Sequence, residues 1–174
     1  VADHVVDTNV LLCASMADGA SPFDGADHVA VEEQLEVLAW LTAFHADPEK
    51  RLVIDEAFRI YDEYLHKLTV QDYGLLVIHE KLQTAELVPV AYDGDGHGIV
   101  PEALGSLDPS DRKLAAAAIA STRMQGAPCT LVNATDTDWY DVEEPLEETG
   151  VVLEQLLDAW CRAKREEKLR RSSP

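Results

Sequence analysis

Short β-branched runs alternating with longer amphipathic stretches constrain this chain more than any other feature. That alternation is what a parallel sheet flanked by helices requires, so the expected fold class is α/β. Val5-Val6 predicts a first strand ending at Asp7, Asn9 to Ala17 a helix, and Ala20 to Asp27, rich in Gly, Ser, Pro and Asp, a loop. From Val29 to His45 apolar residues fall at Val31, Leu35, Leu38, Leu41 and Phe44, the recurrence of a helix with one buried face. Arg51 to Ile54 predicts the second strand, Asp55 caps a helix running through Leu68, and a further helix covers Asp72 to Gln83. Leu87 to Tyr92 reads as a third strand followed by a flexible DGDGHG loop. Ser110 to Gln125 is an alanine-rich helix, Cys129 to Asn133 a fourth strand, Gly150 to Val152 the start of a fifth, and Leu153 to Arg165 the closing helix.

Nothing repeats and no linker divides the 174 residues, so one domain is expected over 1–161, with a basic, helical, partly disordered tail over 162–174. The apolar runs are too short to span a bilayer and no charged-then-apolar segment opens the chain, which predicts a soluble, cytoplasmic protein. Cys13, Cys129 and Cys161 are odd in number and lack CxxC spacing, so they read as reduced thiols in or near the core. The net charge of −19 argues against a broad basic face for gripping nucleic acid. From Arg162 onward six basic residues meet two acidic ones, leaving −23 on the remainder. That tail is a local phosphate contact or a solvated terminal helix, and the acidity of the body equally fits a salt-rich cytoplasm.

Ligands of an open parallel sheet bind outside the carboxyl ends of its strands. Asp7 ends the first strand in VVDTN, Asp136 follows the fourth in LVNATDTDW, Asp111 opens the alanine-rich helix in LDPSDRKLAAAA, and Glu63 lies two turns into the helix after the second strand. Each has a plain structural reading: Asp7 as a helix cap, Asp111 in a capping box behind Asp108 and Pro109, Glu63 as a surface acid, Asp136 and Asp138 as turn residues. The set is more telling than its members. Carboxylates about 4 Å apart repel by roughly 4 kcal/mol per pair at an effective dielectric near 20, and a divalent cation removes that cost. Hard oxygen ligands without Cys or His suit Mg²⁺ or Mn²⁺, whose retained water serves as nucleophile in phosphodiester hydrolysis.

Taken together, the Asp-Thr-Asn at Asp7, the Ile60, Glu63, Tyr64, Leu68 helix pattern, the Asp-Pro-x-Asp ending at Asp111 and the Asp-x-Asp of Asp136 and Asp138 resemble a PIN domain, from about Val5 to Trp139. The resemblance implies a three-layer α/β/α sandwich with a central parallel sheet and Mg²⁺- or Mn²⁺-dependent cleavage, usually of RNA. It makes Asp7, Glu63, Asp111 and Asp136 the acidic quartet and Asp138 an outer or second-metal ligand, with Asn9 orienting Asp7 and Thr135 supporting it. Many members carry Thr-Gly where this chain has Ala134-Thr135, and the segment from Met16 to Asp47 is longer than in minimal members.

Arg112, Lys113 and the tail are the expected phosphate contacts, with bound metal inverting the local field. The alternative function is a catalytically silent PIN-like domain that binds RNA or a protein partner. Small family members resemble toxins of toxin-antitoxin pairs, which adds a small basic antitoxin to the expected partners beside RNA and a second copy of the chain. A calcium reading of DGDGHG fails because Leu104 stands at the twelfth position, where a bidentate Glu is required, and Pro101 intrudes. An aspartyl-phosphatase reading fails because Asn9 stands where a second Asp is expected, and the histidines show no paired ligand spacing.

Overall fold

In the computed structural model, residues 1–17 and 29–172 are described. Five parallel strands, β1 (Ala2–Val6), β2 (Lys50–Asp55), β3 (Glu86–Val88), β4 (Thr130–Asn133) and β5 (Val152–Gln155), form one sheet in the order β3-β2-β1-β4-β5. Among the described residues, seven α-helices accompany it: α1 (Thr8–Ala17), α2 (Val31–Ala46), α3 (Arg59–Lys67), α4 (Tyr73–Lys81), α5 (Arg112–Gln125), α6 (Glu143–Glu148) and α7 (Asp158–Ser172). The architecture is a three-layer α/β/α sandwich. On one face α1, α2 and α4 pack on each other, with α1 against β4 and α4 against β2; α5 crosses β1, β2, β3 and β4. β1 and β2 read as nearly unbroken buried runs, as strands covered on both faces must. Ala115, Ala117 and Ala118 of α5 are buried with Leu114 and Ile119, and their small side chains let the helix lie close to the sheet.

The strand order reverses direction at β1. The chain goes from β1 outward to β2 and β3, then returns across the sheet to β4 on the other flank, so the carboxyl ends of β1 and β4 border the topological switch point. The opposite edge is tied by charge: Arg51 Nε donates to Asp3 Oδ1 at 2.8 Å, Arg51 pairs with Glu86 Oε2 at 2.8 Å, and Ser121 Oγ donates to Asp3 Oδ2 at 2.6 Å. These bonds link β1, β2, β3 and α5, and satisfy an aspartate that is almost wholly buried.

Several boundaries differ from the sequence reading. The helix after β2 begins at Arg59, not Asp55, because Glu56 to Phe58 form a turn in which Phe58 adopts a left-handed conformation, φ 58°. Asp55 still caps it from a distance, Oδ2 accepting the Arg59 N–H at 3.1 Å and Oδ1 the Ile60 N–H at 2.9 Å. Leu153 to Gln155 belong to β5, so α7 starts at Asp158, and Arg162 lies within it rather than at the head of a separate tail. The α2 stripe is Val37, Leu41 and Phe44; Val31 and Leu35 are 60% and 51% exposed. The Ala20 to Asp27 loop lies outside the described residues. α6 and the 3-10 turn at Asp138–Asp141 were not foreseen. All three cysteines are free and buried, as their spacing suggested. Among the described residues no helix is long and apolar enough to cross a membrane.

Helix α1, which directly follows Asp7, is held by a close approach to α4. A Cβ on Gly74 would meet Leu11 Cβ and its carbonyl oxygen, each at 3.0 Å, and backbone does not yield as a side-chain tip does. Gly74→Ala is therefore expected to lower stability by about 1–3 kcal/mol in urea unfolding, the usual cost of overpacking a tight contact. An unchanged midpoint would show that α1 and α4 separate freely.

Candidate metal centre

Asp7 follows β1 directly, so the last strand residue delivers it to the switch point. It is 5% exposed, and both of its oxygens are engaged. The Asn9 backbone N–H donates to Oδ1 at 3.1 Å, which makes Asp7 the cap of α1, and the Trp139 indole N–H donates to Oδ2 at 3.0 Å. Capping and site membership are thus compatible for this residue, because a carboxylate has more lone pairs than the cap uses.

Asp136 is placed by a network of buried amides. Asn133, the last residue of β4, is completely buried; its Oδ1 accepts the Asp136 N–H at 3.1 Å and its Nδ2 donates to the Asp136 carbonyl at 2.8 Å and to Gln155 Oε1. Asn9 Nδ2 donates to Asn133 Oδ1 at 2.8 Å, while Asn9 Oδ1 accepts the N–H groups of Ala134 at 2.8 Å and Thr135 at 3.3 Å. Asn9 bonds Asp7 through its backbone N–H, while its side chain clamps the loop carrying Asp136.

Asp111 precedes α5. Asp108 folds this turn by accepting both the Ser110 N–H, at 2.9 Å, and its hydroxyl, at 2.7 Å, so the regular helix starts at Arg112, later than the capping-box reading. Gly98 packs beneath: a Cβ there would lie 2.7 Å from Lys113 N and Cα, so the loop after β3 sits directly on the first turn of α5. Asp7, Asp111 and Asp136 each offer a ligand oxygen, and the three oxygens lie within 4.8 Å of one another.

Glu63 is not a member of that triad. Tyr64 beside it is buried, and its hydroxyl donates to the Val6 carbonyl, anchoring α3 to the end of β1. Glu63 Oε1 accepts the Thr8 hydroxyl at 2.6 Å and Oε2 meets Lys113 Nζ at 2.5 Å. It borders the triad closely enough for its charge to act on Asp7. Asp138 donates its backbone N–H to Asp136 Oδ1 at 2.8 Å, but its carboxylate is paired with Lys168 Nζ at 2.6 Å. Arg112 donates to the carbonyls of Leu107 at 3.2 Å and Gly105 at 2.8 Å. Arg162, Lys164, Arg165, Lys168, Arg170 and Arg171 all have acidic partners, and Arg165 and Lys168 tie α7 to Asp141 and Asp138 of the site loop.

A cleft of about 350 Å³ opens at Glu63 and Lys113, lined also by Arg59, Asp62, His66 and Gly96. Asp93, Asp95 and His97 form a second group of ligand atoms within 4.8 Å, in which Asp93 Oδ1 accepts the N–H groups of Asp95, at 3.0 Å, and His97, at 2.9 Å, bonds that serve the turn. Sequence reasoning missed Trp139, Asn133, Thr8 and Gln155. Only Trp139 carried a signal, since a buried indole N–H needs an acceptor and this one stands three residues after Asp136. No family model matches the chain, and neither does any curated protein or solved structure.

Burial lifts the Asp7 carboxyl to about 6, with Asp136 and Glu63 adding to the rise against the two hydrogen bonds that oppose it. Burial likewise lifts Asp111 to about 7, with Asp7, Asp136 and Asp108 contributing, and raises Asp136. A carboxyl whose folded pKa exceeds its unfolded value binds more protons in the native state. Its stabilising contribution is therefore complete below the ordinary Asp range and lost as pH rises through the folded pKa. For Asp111 the window runs from about 4 to 7. Asp111→Asn, which removes the charge, is expected to unfold at higher temperature than the wild type in chelator at pH 7, with the gap closing toward pH 4. A gap that stays constant with pH would show that burying an ionised Asp111 beside its neighbours does not cost the fold stability.

Proposed function

We propose that this chain is a metal-dependent nuclease, an endoribonuclease that hydrolyses phosphodiester bonds at the Asp7, Asp111, Asp136 cluster. The observation that carries this reading is the convergence of three acids, distant in sequence, onto one half-buried spot where they repel each other. The donor set consists of carboxylate oxygens without thiol or imidazole, which fits Mg²⁺ or Mn²⁺. When bound, such an ion supplies Lewis acidity to a phosphate and acidifies water. The resemblance of the four acidic motifs to PIN domains supports the same chemistry and favours RNA as substrate.

Each neighbouring group has a task in this scheme. Trp139 and the Asn9 N–H fix the Asp7 carboxylate and leave it lone pairs to give. The Asn9–Asn133 pair and Gln155 hold the Asp136 loop at a set height above the sheet, so the oxygens are positioned before any ligand arrives. The cleft beside Glu63 and Lys113 offers the substrate strand an approach at which Arg59, His66 and Lys113 face its phosphates. Among the described residues, Lys113 and Lys168 near the site are paired with acids, so affinity for nucleic acid depends on the metal and is weak without it.

The test is cleavage of mixed RNA and DNA pools with Mn²⁺, Mg²⁺ or chelator, alongside Asp7→Asn. Cleavage of RNA is expected with either ion and not with chelator. Asp7→Asn should reduce it by at least about a hundredfold, equivalent to about 2.7 kcal/mol of transition-state stabilisation. Metal-supported RNA binding without any cleavage would overturn catalysis in favour of a silent PIN-like domain, and absence of both would sink the nucleic-acid reading.

A further inference from the structure

We propose that Lys113 serves this site as its second cation. Its ammonium is salt-bridged to Glu63, the acid that borders the triad, so the carboxylate a second divalent ion would need is already neutralised and the site takes one ion rather than two. The inference rests on the reading that Asp7, Asp111 and Asp136 hold the first ion.

Both oxygens of Glu63 are committed, one to Thr8 at 2.6 Å and the other to Lys113 at 2.5 Å. Those partners come from the two segments that carry the acids: Thr8 follows Asp7, and Lys113 is two residues beyond Asp111 in the first turn of α5. Glu63 is therefore oriented by the same backbone that orients the triad, yet its ligand capacity is taken by a hydroxyl and an ammonium. Lys113 is well placed to stay. Its side chain is 13% exposed, its Nζ also donates to the Ser110 carbonyl at 2.5 Å, and Gly98 packs against its backbone from below.

Two-metal hydrolytic sites hold their ions about 3.5–4 Å apart, both sharing carboxylates and both contacting the phosphate. A second divalent ion here would have to displace Lys113 from Glu63 or share that carboxylate with it, against the repulsion of like charges. With one divalent ion at the triad, the ammonium already neutralises the fourth acid. It also lines the cleft with Arg59 and His66, so the same charge faces an incoming phosphate. Lys113 is thus a positioning residue toward Glu63 and fixes the ion count.

Isothermal titration of Mn²⁺ into the full chain reads that count without any turnover. The wild type is expected to bind one Mn²⁺ per chain. Lys113→Met, which keeps the length of the side chain and removes the charge, is expected to bind two. Lys113→Arg should return to one, and so should Lys113→Met combined with Glu63→Gln, because the freed carboxylate is gone. Matching circular-dichroism melts confirm that the variants fold, with Lys113→Gln as the substitute if Lys113→Met does not. Two ions in the wild type, or one in the charge-removing variant, would overturn the role of Lys113 while leaving the metal reading intact. No binding to the wild type would overturn both.

Discussion

Three carboxylates brought together at the half-buried carboxyl edge of the sheet are the constraint around which the rest of this molecule is arranged. Asp7, Asp111 and Asp136 repel one another, and burial strips away the water that would soften the repulsion, so the ionised forms of all three are disfavoured. An isolated domain gains nothing by such an arrangement. The remaining structure must hold the acids in place against their mutual charge, and the means it uses are hydrogen bonds from neutral donors and not extra positive charge. Among the described residues, Lys113 through Glu63 and Lys168 through Asp138 bring cations near.

Neutral donors have a consequence for chemistry. A guanidinium bound to Asp7 would satisfy the carboxylate and cancel its attraction for a metal, whereas the Trp139 indole and a backbone N–H orient it and leave most of its charge. The Asn9–Asn133 clamp works on the same principle for Asp136, linking the end of β4 to the first turn of α1 across the switch point. The basic residues of α7, in contrast, spend their charges on acids of their own helix and of the Asp138–Asp141 turn. The same stretch also ties itself, through Arg165 and Lys168, to the loop beyond the site.

The parallel sheet and most helices were legible in the sequence because local pattern carries them. Buried β-branched runs marked β1, β2 and β4, and the alanines marked α5. What failed were boundaries set by side chains reaching past their neighbours. Asp55 caps α3 from four residues upstream, and the Asp108–Ser110 turn delays α5 until Arg112. Leu153 to Gln155 pair with β4 although their sequence suits a helix equally, since an edge strand takes its identity from its partner.

The sequence by itself determined which chemical groups lie at the carboxyl edge. A strand that ends at Asp7, and a helix that begins just after Asp111, are local facts of pattern, and parallel strands bring such ends to one side of a sheet. Only the tertiary structure decided which of those acids share a point in space and which are occupied elsewhere. Glu63 and Asp138 carry the same side-chain chemistry as their neighbours, yet one is bound by Thr8 and Lys113 and the other by Lys168. Contacts over 50 or more residues, such as Thr8 to Glu63 and Trp139 to Asp7, obey no local period, so they exist in the fold and not in the pattern that produced it.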